Sequence, residues 1–108
     1  MSFPTISGTG PNAAVIHYKA TKKTNRTLNS GNIYLVDSGG QYEFGTTDVT
    51  RTISLKNSDE RIRNIFTRVL KGHIAVLKSN LNKYPSGNLI DIRARKFLKE
   101  INRSEEVV

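Results

Sequence analysis

The sequence predicts an α+β fold in which an antiparallel β-sheet comes first and two amphipathic helices then pack on one of its faces. Hydrophobic residues recur with a period near two over residues 32–55, and the period changes to about 3.6 after Lys56-Asn57. Strands followed by helices, rather than alternating with them, belong to sheets covered on one side by helices. Turn chemistry then sets the strand sense: Gly39-Gly40 and Gly45 lie between two strand-like runs and suit a hairpin, so the core of the sheet is antiparallel.

The elements follow in order. Residues 2–12 (SFPTISGTGPN) hold two prolines and two glycines among small polar residues and read as a loop. Ser7-Gly8-Thr9-Gly10 lacks a preceding strand and the further spacing of a phosphate-binding turn, so it carries little weight as one. Residues 13–18 (AAVIHY) read as a short apolar strand, and the polar stretch 19–31 as a surface loop. Residues 32–37 (NIYLVD) are apolar at both parities, which suits a strand in the middle of a sheet. Residues 49–55 (VTRTISL) alternate, with Asp48, Thr50, Thr52 and Ser54 on one face and Val49, Arg51, Ile53 and Leu55 on the other.

A helix is expected over 58–81, with Ser58 as N-cap and Asp59 and Glu60 in the first turn, where their charge suits the dipole. Its apolar stripe runs Ile62, Ile65, Phe66, Val69, Leu70, Ile74, Leu77 and Leu81; Arg61, Arg68, Lys71 and Lys78 fall opposite. Residues 83–87 (KYPSG) stop it. A second helix over 89–101 turns Ile90, Ala94, Phe97, Leu98 and Ile101 inward and spaces Asp91 and Arg95 for an i,i+4 pair. Residues 102–108 read as a frayed tail. Two apolar helix faces and a two-sided strand ask for more covering surface than this chain supplies.

Composition bounds the function. A chain of 108 residues allows one small domain. With no cysteine, a disulfide framework, a thiolate metal site and a cysteine nucleophile are excluded. No apolar run approaches the roughly 18 residues of a membrane span, and no signal region opens the chain, so a cytoplasmic protein is expected. The formal charge of +8 is concentrated in the second half: of 17 Lys and Arg, only Lys19, Lys22, Lys23, Arg26 and Arg51 precede residue 56. Such a charge raises nucleic acid or an acidic protein as partners. No aromatic residues interleave with the cationic helix face to stack bases, which disfavours nucleic acid.

Asp37 is an acid at the end of an apolar strand, and an ionised carboxylate there is costly unless it is paired or bound to a cation. Asp48 opens the partner strand. A bulge at Gly39-Gly40 would let both carboxylates point to one side, offering two oxygen ligands to a hard divalent metal. The same residues also suit a plainer role, Asp37 capping a turn and Asp48 bonding neighbouring threonine hydroxyls. His17 lies between Ile16 and Tyr18 on the first expected strand, and His73 in the first helix's apolar stripe reads as a packed core histidine.

Several runs are more specific than their spacing. SFPTISGTGPN at 2–12, VIHY at 15–18, DSGGQY at 37–42, GTTDVTRT at 45–52 and FTRVLKGHIAV at 66–76 are similar to consecutive motifs of the Xaa-Pro aminopeptidases (aminopeptidase P), which are pita-bread metallopeptidases. The resemblance reaches to about Leu98. It implies an incomplete pita-bread fold, with residues 1–108 the N-terminal portion of a metalloaminopeptidase catalytic domain. It also implies that Asp37 and Asp48 are the first two ligands of a dinuclear, typically manganese, site and that His17 stands on the substrate side. The implied reaction is hydrolysis of the bond before proline in peptides with proline second, by water activated between the two metals. The family's other three ligands, one His and two Glu, belong to later segments that these residues do not include. The chain alone is therefore expected to bind metal weakly, to be inactive, and to associate with a complementing C-terminal segment or as a homodimer. The alternative is a small basic module binding nucleic acid or an acidic partner.

Overall fold

A computed structural model of the chain describes residues 1–29 and 33–105. It divides into two compact units, Met1–Ser58 and Asp59–Val108. The first carries strands β1 (Ile6–Thr9), β2 (Ile33–Ser38), β3 (Gln41–Tyr42), β4 (Gly45–Thr46) and β5 (Val49–Ser54); the second carries helices α1 (Glu60–Leu77) and α2 (Gly87–Glu105). The α+β order expected from the periodicity is present.

In the first unit, β2 is the central strand of a three-stranded sheet ordered β1-β2-β5, as its two apolar faces require. Both pairings are antiparallel, with Ile6 opposite Asp37 on one side and Asp37 opposite Thr50 on the other. Carrying the β2–β5 register past the pair Ser38–Val49 leads directly to Gln41–Thr46 and Tyr42–Gly45, the pairs of β3 with β4. The four segments therefore make one long hairpin, interrupted at residues 39–40 and 47–48. There the Thr47 amide donates to the Gly40 carbonyl at 2.8 Å, and the Gly40 amide donates to Thr47 Oγ1 at 2.8 Å. Ser2 ties the N-terminal segment to this place, its amide donating to Gly39 O at 3.1 Å and its hydroxyl to Thr47 O at 3.0 Å. A Cβ on Gly39 would run into both the Thr47 carbonyl and the Ser2 hydroxyl, so the close approach needs glycine.

This unit departs from expectation in two places. Residues 2–12 are not all loop, because β1 takes the second open edge of β2; Ser7 Oγ and Tyr34 OH meet at 2.9 Å and Thr9 Oγ1 donates to Ile33 O at 3.2 Å. Gly10, at φ 57°, then turns the chain out of the sheet into a short 3-10 helix, Gly10–Ala14, with Pro11 in its first turn. Residues 13–18 consequently form no strand. Asn12 overrides their β propensity: its carbonyl accepts from the Val15 amide at 3.2 Å, and its side-chain Nδ2 donates to Tyr18 OH at 3.0 Å and Thr24 O at 2.8 Å. Tyr18, only 8% exposed, closes the loop by donating to Thr24 O at 3.1 Å, while Ile16 is left 88% exposed. The expected strand start Asn32, and loop residues 30–31, lie outside the described residues.

In the second unit, Asp59 rather than Ser58 caps α1, its carboxylate accepting from the Ile62 amide at 2.8 Å. The helix ends at Leu77, short of the expected 81, because the Asn80 carbonyl takes the amides of Lys83 and Tyr84 at 3.0 and 2.9 Å, and its side chain takes that of Asn82 at 2.9 Å. Helix α2 begins earlier than expected and continues through residues 102–105, so that part of the expected tail is helical; residues 106–108 lie outside the described residues. The helices cross where Gly72, buried, meets the backbone of Ala94. Arg93 pins the crossing: Nε donates to Ser79 Oγ at 2.9 Å, Nη1 donates to Tyr84 OH at 2.9 Å, and the guanidinium stacks on the Tyr84 ring at 4.5 Å. The expected Asp91–Arg95 pair forms, Nε reaching both carboxylate oxygens at 2.8 Å.

The stripe of α1 stays open to solvent. Ile62, Ile65, Phe66, Val69 and Leu70 are exposed, and His73 with them, so this histidine is not the core residue its position suggested. Arg68 also departs from expectation: it is half-buried between the helices rather than on a solvated face.

Candidate metal centre

The site is built by the hairpin. Asp37 sits on the central strand, held on both sides by ladder hydrogen bonds, with Ile6 and Thr50 as its cross-strand neighbours. Asp48 immediately precedes β5, beyond the last registered pair, Ser38–Val49. In an antiparallel pair, residues opposite one another share a face and so do those two positions along. Thr50 is opposite Asp37, and Asp48 stands two positions before Thr50, where the hairpin is interrupted. The registers on the two sides of the interruption are in step, so no extra residue is inserted at Gly39-Gly40 as the expected bulge would require.

The two carboxylates differ in setting. Asp37 is half-buried, and its Oδ1 is buried with no hydrogen-bond partner. Burying an unpaired polar oxygen costs about 1–3 kcal/mol, and more for a charge. Asp48 is exposed. Among the described residues neither carboxylate accepts from a turn amide or a threonine hydroxyl, which the plainer role of these acids would require. A buried carboxylate oxygen without a partner is a donor suited to a hard divalent cation. It is not a complete site: among the described residues, no group of three or more His, Asp or Glu side chains is gathered to hold a metal.

His17 is not on a strand. It lies exposed in the turn after the 3-10 helix, at φ 54°, in the left-handed region that only glycine enters freely. The Asn12–Tyr18–Thr24 network holds that turn from both sides. Strain of this kind in a non-glycine residue is kept only where surrounding contacts over-determine it.

Sequence reasoning missed a cluster in the helical unit. It gave the cationic face of α1 no aromatic neighbour, yet Lys71 and Lys96 lie over the Phe97 ring at 6.0 and 5.8 Å. The spacing within α1 could not reveal it, because the ring comes from α2.

Comparison with known proteins gives a consistent family. The sequence profile of metallopeptidase family M24 matches residues 1–107. The Xaa-Pro aminopeptidase ApepP of Drosophila melanogaster is 46% identical over 101 residues, which are 94% of this chain and 16% of that protein. A probable Xaa-Pro aminopeptidase P of Aspergillus clavatus is 50% identical over 98 residues, 91% of this chain and 15% of its own length. Among solved structures, an X-prolyl aminopeptidase of Caenorhabditis elegans, described as a cytosolic enzyme with a di-nuclear active site, superposes with a TM-score of 0.78 at 36% identity, covering 93% of this chain and 16% of its own. The prolidase of Pyrococcus furiosus superposes with a TM-score of 0.74 at 26% identity over 93% of this chain and 28% of its own. The chain thus spans about a sixth of the length of the curated relatives it matches. No helix of the described residues is long and apolar enough to cross a membrane.

Proposed function

The chain belongs to metallopeptidase family M24, and on that premise we propose that it is part of the catalytic domain of a Xaa-Pro aminopeptidase, with Asp37 and Asp48 as two carboxylate ligands of a dinuclear metal centre. The observation that carries the proposal is the buried, unpartnered Oδ1 of Asp37 on the central strand, in the hairpin that leads to Asp48. Both compact units belong to that one domain. The metal is manganese, the substrates are peptides with proline in second place, and the compartment is the cytoplasm, in keeping with the description of the C. elegans relative.

Bound in such a centre, divalent metals polarise the scissile carbonyl and lower the pKa of water. This chain's residues contribute position. The central strand holds Asp37 with little freedom, and the Gly39–Thr47 approach fixes where Asp48 leaves the ladder. His17, presented by its braced turn, offers a ring nitrogen to the substrate near the bond that breaks. With two carboxylates alone, these 108 residues bind manganese weakly and do not turn over Xaa-Pro dipeptides; a complementing segment or a second copy completes the site.

Titration calorimetry with Mn2+ tests the reading on the chain alone and on the chain co-expressed with a segment from a Xaa-Pro aminopeptidase that carries one His and two Glu. Weak binding alone, two tight sites in the complex, and loss of both with Asp37→Asn are expected. Tight binding in the complex that survives Asp37→Asn and Asp48→Asn together would overturn the assignment.

A further inference from the structure

The helical unit holds a groove of about 360 Å³ between α1 and α2, with Arg63, Arg68 and Lys71 on one wall, Glu60 at its end, and Phe97 and Glu100 on the other wall. We propose that this groove is a docking site for an acidic peptide segment of a partner protein, one whose carboxylate enters between Arg63 and Lys71 while an apolar side chain beside it lies on Phe97.

Three features carry this. First, the groove already handles a carboxylate: Glu100 lies 3.1 Å from Arg68 Nη1, which also donates to Phe97 O at 2.8 Å, while Nε donates to Asn64 Oδ1 at 2.7 Å. Arg68 is thereby held rigid and half-buried, so little side-chain entropy is lost when it meets a ligand. Second, among the described residues the Arg63 guanidinium and the Lys71 ammonium make no hydrogen bond or ion pair. They stand about one turn on either side of Thr67, which also lines the groove, so the two cations share one row of α1 beside the occupied Arg68. Third, the Phe97 ring has Lys71 and Lys96 over it at 6.0 and 5.8 Å, so an apolar contact surface lies inside a cationic frame. An acidic peptide with an apolar residue complements both. A lone phosphate or a bare polyanion would use the charges and waste the ring. The assignment is independent of the metal centre, and its readout involves no metal.

The test is fluorescence anisotropy of a labelled Glu-rich peptide carrying one phenylalanine, titrated with the 108-residue chain at low and physiological salt. Arg63→Gln with Lys71→Gln should weaken binding about tenfold. Lys22→Gln with Lys23→Gln, which removes the same charge from the other unit, should change it less than about twofold. Phe97→Leu should remove the preference for the phenylalanine-bearing peptide over a Glu-Ala one. Circular dichroism confirms that each variant keeps its helices, and Arg63→Lys serves as the milder variant where the pair does not. Equal losses from the two double variants, or no binding of the peptide by the parent chain, would overturn the proposal. So would tighter binding of a duplex oligonucleotide that depends equally on Arg63 and Lys71, which would give the groove to nucleic acid.

Discussion

Asp37 shows how one residue can be read twice, for stability and for function. Its buried Oδ1 lacks a partner, so the folded chain carries an uncompensated polar atom in the middle of its sheet. Substitution by the isosteric, uncharged Asn is therefore expected to leave the metal-free thermal midpoint unchanged or to raise it, by up to about 1 kcal/mol in stability. The same substitution should abolish manganese binding in the complemented protein. Thermal denaturation in the presence of a chelator checks the first half, and a fall in midpoint would mean that Asp37 is a structural residue. His17 gives a parallel case. At φ 54° a non-glycine residue gives up about 1 kcal/mol or more, partly offset in a His17→Gly variant by the greater freedom of the unfolded chain. That variant is expected to gain about 0.5 kcal/mol in urea denaturation while losing turnover in the complemented enzyme. The acid at the end of an apolar strand was legible in the sequence because its environment was legible. The histidine's backbone was not: strand propensity describes Val15 and Ile16, whereas the turn is imposed by Asn12 through partners up to twelve residues away.

At the scale of elements, what was legible is what the chain decides locally. The central strand, the hairpin, the switch to helical period and the Asp91–Arg95 pair all follow from alternation or i,i+4 spacing. Strand β1 was hidden because its residues are small and polar and it exists only by pairing with β2, a non-local decision. The helix crossing at Gly72 was hidden for the same reason. In an isolated helix Ala would be favoured over Gly by about 1 kcal/mol. Here a Cβ would meet the Ala94 carbonyl, so Gly72→Ala must push α2 away and is expected to destabilise the helical unit by about 1–3 kcal/mol. Urea denaturation followed by far-UV circular dichroism reads this out, and a more stable variant would show that the crossing is looser than described. The Asp91–Arg95 pair has a pH signature. The hydrogen bond from Arg95 holds the Asp91 carboxyl below its ordinary 3.8. A lowered folded value contributes stability above the unfolded pKa and loses it as pH falls through the folded one. Because the pair is exposed, the effect is small, and replacing Arg95 with Gln should flatten the acid limb of the stability curve slightly and leave neutral pH nearly unchanged.

At the scale of the whole chain, apolar surface decides behaviour. Among the described residues the buried apolar core comprises Tyr18 alone, and no large side chain is fully enclosed. Phe44 at the hairpin tip is 94% exposed, Leu77 at the end of α1 is 78% exposed, and Leu81 in the turn that follows is 67% exposed. Single exposed apolar residues are ordinary, but Ile62, Ile65, Phe66, Val69 and Leu70 form a continuous stripe on one helix. These side chains are already about half covered, so each stands to gain about 1 kcal/mol on full burial, an amount comparable to the stability of a small domain once all five are summed. The 108-residue chain in isolation is therefore expected to self-associate at micromolar concentration and to bind an apolar dye. Phe66→Ser with Val69→Ser should shift it toward monomer and reduce the dye signal without loss of helix content. Sedimentation velocity across a concentration series distinguishes the outcomes: a parent chain that stays monomeric throughout would mean that the stripe does not drive association. The contrast between the scales has a common cause. Asp37 carries a buried oxygen without a partner, and the stripe of α1 is exposed. Complementation by a segment that supplies metal ligands should therefore do two things together, creating tight manganese sites and suppressing self-association. A complex that gained metal while remaining as association-prone as the isolated chain would separate the two deficits and assign the stripe to a different partner.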